Sequence, residues 1–161
     1  MKRLNAVSIV VLVFGVLSIP AQAQQFADYP AKVQSPKAKS IDFKNSPRSA
    51  KSFKTRLKAE FRNGVNFAGQ FILATWGCGT GCRDGAIIDG DTGRVLFPKE
   101  LGAVIDWNGP SDEAFDIFTF QQDSRLLIVR GFPGYAGSKA GTYYFEWTGT
   151  RFRLLKGIAT K

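Results

Sequence analysis

The stretch Trp76-Gly77-Cys78-Gly79-Thr80-Gly81-Cys82-Arg83-Asp84-Gly85 holds the residues whose types and spacing come nearest to chemistry. Its Cys78 and Cys82 are the chain's 2 cysteines. In an oxidising compartment a pair this close reads as a disulfide that fixes a sharp glycine-rich turn. On the loop-length relation so small a ring contributes about 2 kcal/mol. A redox-active pair is the alternative, but that motif has two intervening residues and this one has three. Two thiolates cannot complete a tetrahedral metal shell without further ligands, so no metal is expected. A third reading uses the backbone. Consecutive N–H groups of Gly77, Gly79, Thr80 and Gly81, held by the bridge, can form an anion-binding nest with Arg83 beside it.

Elsewhere, chemistry-bearing residues carry plainer explanations. The chain contains 0 histidines, which removes histidine-based triads and bases and nearly every zinc site. Asp84, Asp89 and Asp91 suggest calcium, but Asp-Thr-Gly is turn chemistry and the other oxygen ligands are missing. Asp112, Glu113 and Asp116 offer a carboxylate pair for glycoside hydrolysis, with no separation to support it. Ser138 and Lys139 are adjacent and would point apart in a strand. Tyr143, Tyr144, Phe145 and Trp147 read as core and cross-strand pairs. Phe132 and Tyr135 differ. They sit in a long loop, where binding residues concentrate, and are carried forward as candidates.

Charge singles out another region. The formal net charge is +9 over 161 residues. Between Gln24 and Asn63 ten basic residues meet only Asp28, Asp42 and Glu60, whereas Gly64 to Lys161 is neutral overall. Such asymmetry gathers positive potential on one element and draws anionic partners to it. The plain alternative is a solvated face that only aids solubility. Lys51, Lys54 and Lys58 are the candidate contacts.

The elements that must position these residues follow from pattern. Lys2 and Arg3 precede an apolar run from Ala6 to Ile19. Pro20 and Ala21-Gln22-Ala23 follow it, the form of a cleaved secretory signal over 1–23. The run is short for a membrane span. The mature chain is expected to begin at Gln24, soluble and exported to periplasm or medium. Residues 24–40 read as a flexible basic arm, and 41–161 as a single α+β domain. Ile41-Asp42-Phe43 suggests a short strand. Ser46-Pro47 offers a cap with proline at the first helical position, and Asn63-Gly64 a stop. The spacing of Ala50, Phe53, Leu57 and Phe61 predicts an amphipathic helix over 47–63. Phe67 to Trp76 is apolar on both alternating sets, which predicts a central strand buried on both sides. Hairpins are expected around Gly90–Gly93, Gln121–Arg125 and Thr148–Thr150, with a looser turn at Trp107-Asn108-Gly109-Pro110. The expected architecture is an antiparallel β-meander of seven to nine strands, curled or barrel-like, with one N-terminal amphipathic helix.

Asn66-Phe67-Ala68-Gly69, Trp76-Gly77-Cys78-Gly79-Thr80 with Cys82, Ala86-Ile87-Ile88-Asp89 and Thr92-Gly93 together form a recognisable set. With Asp123-Ser124-Arg125-Leu126-Leu127 and Thr142-Tyr143-Tyr144, they resemble a group of small, uncharacterised exported bacterial proteins. The resemblance runs from about Ile41 onward. It implies a shared fold and brings no activity with it.

The expectation from sequence is an exported soluble binding protein of the bacterial envelope, with an inhibitor or immunity protein as its specific form. Catalysis is less favoured, and no cofactor is expected. The partner would be an envelope protein or anionic envelope polymer, with no nucleic acid and no membrane span after cleavage. Two alternatives stand beside it: an envelope hydrolase using carboxylates, and a structural protein resting on anionic lipid or wall polymer.

Overall fold

The computed structural model describes residues 24–106, 116–134 and 138–160. The proposed leader, the Trp107–Pro110 turn, Asp112, Glu113 and Tyr135 lie outside the described residues. Among the described residues no helix is long and apolar enough to cross a membrane.

The described residues form two antiparallel four-stranded sheets and one short α-helix. In the first sheet β1 (Phe71–Gly79) pairs with β2 (Cys82–Asp89). The other edge of β2 takes β3 (Val95–Leu96) at one end and β4 (Val104–Ile105) at the other. Opposite residues across the β1–β2 ladder share a face, so Leu73 lies beside Ile87, and Ile72 beside Ile88. Both faces are therefore apolar, and each needs a covering layer.

The second sheet covers one of them. It is a true meander in the order β5 (Phe118–Phe120), β6 (Leu126–Gly131), β7 (Gly141–Trp147) and β8 (Phe152–Ala159). Its inner face (Leu127, Val129, Tyr143, Phe145, Trp147) meets Phe71, Leu73 and Ile87 in the main core. Trp147 stands edge-on to Phe71 with ring centres 5.4 Å apart, one of the pairs that joins the sheets.

The segment 48–63 covers the other face. Ala50 and Leu57 are completely buried there with Ile72, Ala74, Trp76, Ala86, Ile88 and Val95. Phe53 lies tilted on Trp76, ring centres 4.5 Å apart. The predicted helix over 47–63 is split. Arg48–Phe53 winds as a 3-10 helix, and α1 runs Lys54–Asn63, ending at Gly64 with φ 87°. Ser46 does not cap it. Its hydroxyl donates to the Asp42 carbonyl and accepts from the Val95 N–H at 2.9 Å, so it ties the approach to β3 instead. Ile41–Phe43 forms no strand, because Asp42 spends its carboxylate on the N–H groups of Lys44 and Asn45 in a turn.

Three expectations need correction. The sheet is neither curled into a barrel nor one meander. Each sheet has enough apolar surface to pack face to face, and among the described residues the isolated bridge Ile105–Phe132 is the one β-pairing that connects their edges. The two-faced strand is not central either. β1 begins at Phe71 and lies at the edge of its sheet. Its burial comes from layers above and below, which the alternating pattern cannot distinguish from neighbours on both sides. Nor is the arm loose. It is extended, but its main chain is bonded along its length: Ala31 N–H to Asp123 O, Gln34 N–H to Gly69 O and Ala38 N–H to Gly90 O. It passes so close to Gly69, at φ 82°, that a Cβ there would strike the Lys32 carbonyl.

The outer edge of β1 is closed in part by a side chain. Asn66 accepts from the Leu73 N–H at 2.8 Å and donates to its carbonyl at 3.2 Å, standing in for a neighbouring strand. Replacing it by alanine leaves both main-chain groups of a buried residue unpaired. Asn66→Ala should lower unfolding free energy by about 1–3 kcal/mol, read by urea titration. Leu57→Ala, which empties a completely buried site under the helix, should cost about 2–5 kcal/mol.

Candidate functional site

Cys78 and Cys82 are disulfide-bonded, with Cα atoms 5.1 Å apart. A disulfide is consistent with an oxidising extracellular compartment. The bridge closes the tip of the β1–β2 hairpin. Gly79 pairs with Cys82, Thr80 and Gly81 make the turn, and the register shifts between Gly77 and Gly79. Gly81 takes φ 64°, which glycine tolerates best. Gly77, Gly79, Thr80, Gly81 and Arg83 are exposed together at this end.

The tip is held from the side by β4. The Asp106 N–H donates to the Gly81 carbonyl at 2.7 Å, and Ile105 lies opposite Cys82. Ile105 also exchanges main-chain hydrogen bonds with Phe132, at 3.0 and 2.7 Å. Two candidates fifty residues apart in sequence, the disulfide turn and Phe132, thus meet across one short strand. Ile105 and Phe132 remain 48% and 43% exposed, an apolar pair on the surface. Gly131 allows the approach: at φ 139°, a Cβ there would press on the Ile105 carbonyl. Ile105 escaped the sequence reading because it sits in a segment without clear alternation.

The same end of β1 also meets the helical segment. Trp76 and Gly77 form one wall of a cleft of about 650 Å³ whose opposite wall includes Lys51, Lys54, Arg56 and Glu60. A second cleft of about 420 Å³ lies between the arm and α1. Lys39, Lys54, Lys58 and Arg62 line it around Ile41, Phe43 and Phe61. Lys54 belongs to both. Of the three lysines singled out by charge, Lys51 and Lys54 therefore face the first cleft, and Lys54 and Lys58 the second. Lys39, Arg56 and Arg62 join them. Their charge was legible in sequence, but their grouping needed the docked arm.

Asp42 neighbours the second cleft, but its carboxylate is already engaged. The Asn45 side chain donates to it at 2.6 Å and the Asn45 N–H at 3.0 Å. These bonds, above all the side-chain one, hold its pKa below the ordinary aspartate range. Desolvation opposes them, and the Lys44 N–H and the Arg94 charge add lesser contributions in the lowering direction.

The remaining candidates separate. Asp89 accepts the N–H groups of Asp91 and Thr92, the turn role expected of it, and Asp91 pairs with Lys37. Asp84 accepts from the Ala103 N–H. The Ser138 hydroxyl donates to the Pro133 carbonyl, and the Lys139 N–H donates to the Tyr143 hydroxyl. Tyr143, Phe145 and Trp147 lie in the main core, and Tyr144 packs under Phe26 and Tyr29 on the outer face of the second sheet. Glu146 is buried on that face between Arg125, at 3.3 Å, and Arg153. Among the described residues no cluster of three or more metal-ligating side chains occurs.

Two outcomes test this geometry. The double variant Cys78→Ser, Cys82→Ser should stay folded and lose about 2 kcal/mol, while amide exchange quickens at Asp106 before it does in the core strands. A group with a depressed folded pKa adds stability above its unfolded pKa and loses it as pH falls through the folded value. Urea midpoints should therefore fall on acidification, and by less in Asp42→Asn than in the native chain.

No protein-family model, curated protein or solved structure matches the chain.

Proposed function

We propose that the chain is an exported, soluble binding protein of the bacterial envelope that recognises an acidic partner protein. An inhibitor or immunity protein against an acidic enzyme is its specific form. The observation that carries this reading is the composition of the clefts beside α1. Among the described residues six cations line them (Lys39, Lys51, Lys54, Arg56, Lys58 and Arg62), with Glu60 the one carboxylate in either lining. Like charges held this close repel one another, and an acidic surface relieves that repulsion on binding. The disulfide tip adjoins the first cleft through Gly77, and the Ile105–Phe132 pair lies beyond it on the far edge of β2. They offer a rigid, partly apolar contact next to the charged one.

The steering role of the helix makes the test direct. Lys51→Glu, Lys54→Glu and Lys58→Glu, combined, should slow association with a captured envelope partner by about 10-fold or more at low salt. The difference should shrink as salt is raised, because screening weakens exposed charges. Unchanged association at low salt would remove the helix from the binding surface. A second reading is favoured by the apolar residues Ile41, Phe43 and Phe61 among the cations of the smaller cleft. They suit an anionic lipid or wall polymer. Salt-sensitive retention on anionic vesicles, with no protein captured, would prefer it.

A further inference from the structure

The outer edge of β1 is closed at its start and open toward its end. Phe71 exchanges main-chain hydrogen bonds with Phe67, and Leu73 with the Asn66 side chain. Both residues therefore point their N–H and C=O groups away from β2. In an antiparallel ladder that direction repeats at every second residue. Thr75 and Gly77 must aim theirs outward too. Among the described residues no segment pairs with them on that side. Gly77 is exposed and Thr75 half-buried. The register shift after Gly77 ends the open edge there.

An unpaired edge is a template for another strand. This one opens beside charge. Gly77 and Trp76 form the wall of the 650 Å³ cleft that Lys51, Lys54 and Arg56 face. Glu60 is the opposing charge in that lining, and the Asn63 side chain donates to it at 3.4 Å. Resting on the reading of the helix as a partner-binding face, we propose that the Thr75–Gly77 edge accepts an extended acidic segment of the partner protein as an added strand. The main chain of the segment bonds to Thr75 and Gly77. Its side chains alternate, so those on the helix side carry carboxylates toward Lys51 and Lys54. The exposed edge is short, and about four residues of the segment suffice to span it.

The probe is an acetylated, amidated octapeptide of alternating Glu and Val, added to the full mature chain labelled with nitrogen-15. A control peptide has the same sequence with every amide N-methylated. The Glu-Val peptide should slow amide exchange at Thr75 and Gly77 by about tenfold or more at saturation and shift the signals of Lys51 and Lys54. The N-methylated peptide should do neither. If both peptides shift Lys51 and Lys54 equally while Thr75 and Gly77 stay unprotected, strand addition is overturned and the charged face still binds. No change at either place at millimolar peptide also overturns strand addition. The Lys51, Lys54 and Lys58 reversal against a captured partner then judges the broader reading separately.

Discussion

The β1–β2 hairpin is apolar on both faces, and the rest of the molecule is arranged around that constraint. A sheet with one wet face needs one cover. This hairpin needs two. Leu73 and Ile87 require the second sheet, and Ile72 and Ile88 require the helical segment. Each large apolar side chain removed from water contributes about 1.5–3 kcal/mol, so neither layer is optional. β1 also lies at an edge, where main-chain groups need partners of their own. Asn66 and Phe67 supply them for the buried part, and among the described residues none supplies them for the exposed part.

The distribution of charge follows from the same arrangement. The helical segment contributes Ala50, Phe53, Leu57 and Phe61 to the core, and half of its remaining positions are basic. The arm then crosses past the sheet at Gly69 and Gly90 and brings Lys39 to the helix. Repulsion among the cations is a cost of folding, offset by the burial beneath them. In the function we propose, an acidic partner relieves that repulsion.

Much of this was legible in the residues. The turn signals at Gly90–Gly93, Gln121–Arg125 and Thr148–Thr150 located the β2–β3, β5–β6 and β7–β8 connections, because turn chemistry is a local property. The cysteine spacing marked the hairpin tip, and Phe132 was marked by its loop. What was illegible was long-range. Two-sided burial of Phe71–Trp76 cannot tell a central strand from an edge strand sandwiched between layers. Proline and lysine content made 24–40 look loose, whereas glycines far along the chain provide the room that docks it. The Ser46-Pro47 signal was sound local chemistry, but Ser46 is drawn to Asp42 and Val95. Ile105 joins the disulfide turn to Phe132 through pairings that no window of sequence contains.

We propose that the helix face, and not the far sheet, meets the partner. Lysine acetylation of the complex captured from envelope extract, read by mass spectrometry against the free chain, tests it most directly. Lys51, Lys54 and Lys58 should be shielded in the complex, while Lys156 on β8 reacts as it does in the free protein. Shielding of Lys156 with Lys51, Lys54 and Lys58 fully reactive would contradict the account and move the binding surface to the second sheet.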